Sequence, residues 1–318
     1  GVGFQPDFTW IKSRDSGYQH ELYDSVRGAT NFVSSDDNAA QETETEGLKS
    51  FDSDGYTLGT RDQVNDDTKT YLGSSWLAGT TTGIDTTGAD LTVNGYSFNQ
   101  AAGFSVIEYE GNNVNGAYFP HGLGAVPQMV IIKSLDTATD WTVYHHLMDV
   151  GGNANTRACE LNTNAADASV NFWKDTTPTS VLVRIDNSAQ VNPASTMLAY
   201  CFTPIQGFSK FGTYEGNGNV DGPFVYTGFR PAYIITKDQD ASGNWNIWNN
   251  KALGYNEENR LMTCNQDAAE IDRNFDILSN GFKPRDSGQS NEGGNPYIYL
   301  AYAESPFCNS NGVPTNAR

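Results

Sequence analysis

Gly228–Asn249 reads GFRPAYIITKDQDASGNWNIWN. Ala232–Lys237 is a run of β-formers opened by Pro231. Asp238–Asn244 gathers Asp, Ser, Gly and Asn, and Trp245–Trp248 alternates apolar and polar residues. Two β-prone runs joined by turn chemistry predict a β-hairpin. The chain writes this hairpin three times. Pro6, Pro127 and Pro231 are followed six positions later by Lys12, Lys133 and Lys237. Eight positions on stand His20, Trp141 and Trp245, and three beyond those stand Tyr23, Tyr144 and Trp248. Landmarks at fixed offsets mark an internal repeat, which decides the fold before any single element does.

Outward from the hairpin the copies continue. GFSVIEYEGN begins at Gly103 and GFSKFGTYEGN at Gly207, the same 104-residue spacing that separates Pro127 from Pro231. Past each hairpin lies an Ala-Ala pair (Ala39-Ala40, Ala165-Ala166, Ala268-Ala269), where strand alternation lapses and a helix of a turn or two is expected. Phe172-Trp173 and Phe275 follow in the second and third copies. Then come Ser50–Leu58, Thr179–Ile185 and Ile277–Pro284; in the first and third, DG and NG before an aromatic predict tight hairpin turns. Each copy closes on an apolar, aromatic strand: TYLGSSWLAG from Thr70, TMLAYCF from Thr196 and YIYLAYAESPF from Tyr297. Units of roughly 100 residues with about seven short strands fit the antiparallel sandwich class. The expected fold is all-β: tandem antiparallel β-sandwich repeats, jelly-roll-like, with minor short helices.

The expected division is a truncated first sandwich over 1–79, a connecting insert over 80–102, a second sandwich over 103–206, a third over 207–307 and a polar tail over 308–318. The first unit starts at GFQPDF and lacks the GFS…YEGN strand pair ahead of its hairpin. Either the insert, with a strand at Leu91–Val93 and an NG turn at Asn94-Gly95, supplies those strands, or a segment ahead of Gly1 does. Gly rather than Met at position 1 reads as a processed chain or as the ordered part of a longer one.

With 37% hydrophobic and 12% aromatic residues, the 318-residue chain can build cores. A formal charge of −19 argues against nucleic acid and anionic membrane surfaces as partners, since both need a positive footprint. No apolar run reaches the length of a membrane span. Cys159, Cys201, Cys264 and Cys308 are widely spaced without a CxxC pair, which fits buried free thiols better than a disulfide framework or a zinc site. Cys308, in the polar tail, is expected to be exposed.

Sequence motifs of catalysis are scarce. His20, His121, His145 and His146 show no HExxH spacing, and no GxSxG elbow, P-loop or dinucleotide fingerprint occurs. His145-His146 reads as a solvated strand end, and the glycine-rich EGNGNVDG (Glu215–Gly222) as a flexible hairpin loop. Asp36, Asp37, Glu42, Glu44 and Glu46 form an acidic run with no Lys or Arg between them, the pattern of a solvated loop. Asp238-x-Asp240-x-Ser242-Gly243-Asn244 imitates a calcium loop but lacks the distal bidentate Glu, so a turn is expected there and no metal. No catalytic residue and no cofactor are assigned. Trp10, Trp76, Trp141, Tyr144, Trp173, Trp245 and Trp248 are read first as core or seam residues and second as a sugar-stacking platform. Tyr118, Phe119 and Tyr255, peculiar to one unit, are the better surface candidates.

GFRPAYIITK, DQDASGNW, NWNIW, SNGFK and TMLAYCF, together with GFSKFGTYEGNGNVDGPFVYTGF, resemble the tandem β-repeat domain of tailed-phage virion proteins, a kind common in phages of marine bacteria and cyanobacteria. The resemblance covers most of Gly1–Phe307; Gly73-Ser74-Ser75 departs from it where an aromatic-Cys pair is usual. It implies a non-enzymatic protein of the particle surface, a fibre or spike subunit or a head decoration, with other virion proteins as partners. A homo-oligomer such as a trimer, contact with a host glycan, and neither nucleic-acid binding nor membrane insertion are the further expectations. The alternatives are a polysaccharide-degrading tailspike and a secreted bacterial adhesin or surface-layer module.

Overall fold

The computed structural model describes residues 2–148, 153–253 and 256–305. The first unit contains β1 (Phe8–Ser13), β2 (Glu21–Asp24), β3 (Asn31–Val33), β4 (Glu42–Thr43), β5 (Leu48–Asp52), β6 (Gly55–Leu58), a single-turn helix α1 (Asp62–Asn65) and β7 (Tyr71–Trp76). β8 (Thr92–Asn99) comes from the insert. The second unit contains β9 (Phe104–Glu110), β10 (Ala117–Pro120), β11 (Met129–Ser134), β12 (Thr142–His145), a 3-10 turn (Ala154–Thr156), β13 (Arg157–Glu160), β14 (Ala168–Ser169), β15 (Leu182–Ile185) and β16 (Thr196–Phe202). The third contains β17 (Ser209–Glu215), β18 (Val225–Tyr226), β19 (Pro231–Asp238), β20 (Asn246–Asn249), β21 (Glu258–Thr263), β22 (Ile271–Leu278), β23 (Gly281–Pro284) and β24 (Pro296–Ala303).

The recurring hairpin is β1–β2, β11–β12 and β19–β20, each antiparallel. In every unit the closing strand β7, β16 or β24 pairs with the first hairpin strand on its other side, Phe8 facing Trp76, Met129 facing Phe202 and Tyr233 facing Tyr302. The sheets run β4-β3-β2-β1-β7, β14-β13-β12-β11-β16-β9-β8, and β17-β24-β19-β20-β21-β22-β23-β18. The third sheet folds over on itself into a nearly closed, barrel-like layer pair. In the first two units the second layer is a separate strand pair, β5-β6 and β10-β15. The fold is all-β and antiparallel, built as two-layer sandwiches.

One face of each large sheet packs against its own second layer. In the first unit Ile11, Tyr23 and Phe32 meet Leu48 and Val64. In the third, Ile234 and Trp248 meet Phe275, Ile277 and Phe282, with the Trp248 and Phe275 rings stacked 4.3 Å apart. Tyr144 packs edge-on against Trp173 at the matching place in the second. The opposite faces of all three sheets converge on one shared core, in which Phe8 and Trp10, Ile131 and Trp141, and Ile235 and Trp245 join. In the first and third units the alternation along the hairpin strands therefore serves two cores, one inside the unit and one between units, while in the second unit both faces join the shared core.

Two local expectations are corrected. The Ala-Ala pairs are not helical; each lies in extended chain leading to a main-chain contact across a seam between units. Asn94-Gly95 is not a turn but lies within β8, at a register shift opposite β9. A Cβ at Gly95 would come 2.7 Å from Val26, so the bulge lets the insert pass close to the first unit. The DG and NG turns hold: β5–β6 and β22–β23 close with Asp52 facing Gly55 and Leu278 facing Gly281. Of the two sources considered for the first unit's missing strands, the insert does not act as one, because β8 pairs with β9 of the second unit.

Candidate functional site

The repeat landmarks meet at the seams between units and close a ring. Trp141 Nε1 donates to Ser34 O of the first unit at 2.8 Å, and Trp245 Nε1 to Glu160 O of the second at 2.8 Å. His20 holds the equivalent place in the first unit. Its Nδ1 accepts from Trp10 Nε1 at 2.7 Å, so Nε2 carries the proton and donates to Thr263 O of the third unit at 2.9 Å. A second set of bonds closes the same circuit through main chain. Gln41 N donates to Leu135 O, Asp167 N to Gln239 O and Glu270 N to Arg14 O, all between 2.8 and 2.9 Å. A central cavity of about 20 Å³ lies where the three faces meet, lined by Trp10, Trp141, Trp245 and their apolar neighbours. Such a space offers water no hydrogen-bond partner.

The three landmark lysines are buried beneath the hairpin turns. Lys12 Nζ donates to Ser13 O and Ser16 O, Lys133 Nζ to Ser134 O, Thr137 O and Asn38 O of the first unit, and Lys237 Nζ to Asp238 O. Burial pushes Lys12 and Lys133 down to about 8, against the opposing pull of nearby carboxylates such as Asp36 and Asp37. Each ammonium satisfies carbonyls that a sharp turn leaves unpaired. These lysines are repeat positions whose structural role is to hold the turns, and a lysine at the same place in each buried hairpin strand is the sequence signal that marks them. Pro6 and Pro127 precede β1 and β11, and Pro231 opens β19, where a missing N–H is tolerated.

Tyr23, Tyr144 and every tryptophan but Trp76 are interior, while Trp76 is half-buried and lines the groove beside β7. Trp141, Trp173, Trp245 and Trp248 are at most 1% exposed, Trp10 6%, and Trp76 lies edge-on to Tyr233 and Tyr302. Burial removes the fully interior tryptophans, Tyr23 and Tyr144 as a sugar-stacking platform. Phe119 is also fully buried, stacked 4.7 Å from Tyr109, because β10 turns it inward. Tyr118 faces outward with the Arg184 guanidinium over its ring, and Tyr255 lies outside the described residues, as does Cys308. Exposed aromatics that the sequence reading passed over are Phe224 and Tyr226, on either side of buried Val225 at the end of the third sheet.

Candidate chemistry resolves into structure. Asp238 Oδ1 accepts from Asp240 N and Ala241 N, and Oδ2 from Asn295 Nδ2, so its carboxylate holds the turn. Among the described residues no group of three or more His, Cys, Asp or Glu side chains is arranged to hold a metal. His145 is not solvated: burial drives its imidazole down to about 3, while His146 Nε2 lies 3.4 Å from Phe211 O of the third unit. The acidic run is not uniformly solvated either. Asp36 accepts from His20 N and burial raises it to about 6, and Glu44 pairs with Arg61. Glu215–Gly222 is strapped by side-chain bonds, with Asn291 Oδ1 accepting from Asn217 N and Asp221 paired to Lys283 and Arg285. Cys159, Cys201 and Cys264 are buried free thiols. The most buried ion pair, Arg27 Nε to Asp24 Oδ2 at 2.6 Å, lies at the seam of units one and two, where Tyr200 Oη donates to Asp24.

The largest irregularity in the ring is at β7. In the second and third units the closing strand is flanked by a further strand, β9 on β16 and β17 on β24, each pairing over seven residues. β7 is the last strand of its sheet. Because Arg14 N donates to Thr70 O, alternation turns the peptide groups of Tyr71, Gly73, Ser75 and Leu77 away from β1. They face a groove of about 430 Å³ whose far wall is the third unit, through Tyr233, Asn249, Asn250 and Tyr302.

A family model described as a domain of unknown function (DUF7483) matches residues 1–306. The chain belongs to the DUF7483 family. The match takes in all three units and the insert, so the ring is the family's domain. Comparison with curated proteins and with solved structures gave no match. No helix among the described residues of this DUF7483 chain is long and apolar enough to cross a membrane.

Proposed function

We propose that this DUF7483 chain is a non-enzymatic structural protein of a tailed-phage particle surface, a fibre or spike subunit or a head decoration. The observation that carries the reading is the use made of the repeated positions. The aromatics and lysines that recur in the units fill cores and close seams. A rigid body of stacked sandwiches with divergent loops suits a spacer that presents recognition surfaces. The sequence resemblance supplies the particle context, and the charge of −19 suits an exposed surface in salty surroundings.

The test is mass spectrometry and immunogold electron microscopy of purified particles. A stoichiometric band with label on tail or head supports the proposal and separates fibre from decoration. Absence from particles together with secretion by a bacterial host would replace it with the adhesin reading. A glycan array addresses host contact, with Phe224 and Tyr226 as the exposed aromatics that could stack on sugar.

A further inference from the structure

We propose that acid opens the ring at one seam first, between units three and one, through protonation of His20. The three seams are built alike but keyed differently. Trp141 and Trp245 close theirs with an indole N–H, a donor that does not titrate near neutrality. His20 closes the third with both ring nitrogens committed. Nδ1 accepts from Trp10 Nε1 at 2.7 Å, and Nε2 donates to Thr263 O at 2.9 Å and lies 3.2 Å from Gln266 O. Indole offers no acceptor, so a proton added at Nδ1 sets one N–H against another and breaks the relay. The imidazole is fully buried, where a charge without an acceptor is costly. Connectivity picks out the same seam. The chain runs from unit one to two through the insert and from two to three between β16 and β17, while units three and one are joined by contacts alone. Those contacts include Glu270 N to Arg14 O, the Arg14 guanidinium on the Glu270 carboxylate, and Ser35 Oγ to Cys264 O at 2.6 Å.

The groups around His20 set the pH window. Lys12 of β1 repels an imidazolium. Asp36, Asp267 and Glu270 counter that lysine, with Glu270 also facing Arg14 and Arg260, and Asp37 is held by Gln19 Nε2. Cys264, next to Thr263, is a buried thiol. Burial first and Lys12 second hold His20 down to about 3 in the closed seam, against 6.5 for a solvated imidazole. The opened seam takes up the proton that the closed one refuses, so opening gains about tenfold for each pH unit below 6.5. Asp36, whose carboxylate accepts from His20 N, works against this. Burial raises it to about 6, so a proton held in the closed seam and released in the open one offsets part of the gain between about pH 6 and 4. His145 and His146 border the third unit at the seam of units two and three, but the indole that closes that seam, Trp245, does not titrate.

The test is hydrogen exchange of the full chain at about pH 7 and about pH 4.5, each amide rate divided by its intrinsic rate at that pH. The Glu270 amide reports the seam of units three and one, Gln41 that of one and two, and Asp167 that of two and three. At neutral pH the three are protected alike. In acid Glu270 is expected to lose at least about threefold more protection than the other two, rising to at least about thirtyfold in Asp36→Asn, where the opposing carboxyl is gone. His20→Gln keeps an acceptor for Trp10 Nε1 and a donor for Thr263 O but does not titrate, and it is expected to abolish the difference. A melting temperature of H20Q near that of the parent at pH 7 checks folding; the parent chain's own exchange decides where a variant does not fold. Equal loss at the three amides, or earlier loss at Asp167 or Gln41, overturns the proposal. So does a D36N response no steeper than the parent's, or an acid response of folded H20Q that matches the parent's, which would place the trigger in the Arg14–Glu270 pair instead.

Discussion

Replacing Trp245 by phenylalanine and by alanine separates two contributions of its indole to the ring. The side chain is 1% exposed, lies against the central cavity and donates to Glu160 O across a seam. Phenylalanine keeps most of the apolar contact and leaves the buried carbonyl without its donor, a loss of about 1–3 kcal/mol. Alanine adds a cavity; truncating a buried aromatic costs about 3–5 kcal/mol, and the two effects share one site and do not sum fully. The expected order is parent, then W245F, then W245A roughly 4–6 kcal/mol below parent. Urea unfolding followed by far-ultraviolet and near-ultraviolet circular dichroism measures this, with coincident curves as the check that the transition is cooperative. Trp141→Phe, which removes the matching bond to Ser34 O, is expected to cost the same as W245F. A W245A loss below about 1 kcal/mol would refute the reasoning, because so small an effect is that of a solvent-exposed indole and not of one buried at a seam.

Acid should weaken the fold from about pH 6.5 downward. Burial holds His20 and His145 down to about 3 and His121 to about 4, so the unfolded chain takes up protons that the folded chain refuses. Asp36, raised to about 6, acts in the opposite direction between about pH 4 and 6 but is outnumbered. Calorimetric melting temperatures that stay flat or rise from pH 6.5 to 4 would contradict this. Arg27→Ala leaves the Asp24 carboxylate buried and unpaired and is expected to cost about 3–5 kcal/mol, whereas Tyr200→Phe, which removes only a hydroxyl donor, costs about 1–2 kcal/mol; urea midpoints decide. Cys159 and Cys201, with thiols pushed up to about 12 by burial, and Cys264 should resist a thiol-specific disulfide reagent until the chain is denatured, and prompt labelling of any of them in native buffer would count against the packing.

The hairpin and its repetition were legible because turn chemistry and β-formers recur at fixed offsets from Pro6, Pro127 and Pro231. Ring closure was not legible. Its main-chain bonds, such as Gln41 N to Leu135 O, leave no mark on side-chain identity, and its side-chain bonds end on carbonyls that any residue could supply. The substitution of His20 for tryptophan looked like loss of a landmark. It is a different solution to the same seam, because Trp10 brings the indole and His20 relays the bond to Thr263. The Ala-Ala segments resembled short helices because they lack alternation; the amides just past them, Gln41, Asp167 and Glu270, find their partners in another unit, where local sequence says nothing. The absent strand pair of the first unit was visible at GFQPDF, but the groove it leaves depends on how Asn250 and Tyr233 of the third unit approach β7.

Closure of the ring is tested most directly by hydrogen exchange at three amides, Gln41, Asp167 and Glu270, one from each seam. A closed ring predicts that all three are protected alike and lose protection together as urea approaches the unfolding transition. Exchange of any one at the rate of an open chain, with the other two still protected, would show an open string of sandwiches and contradict it.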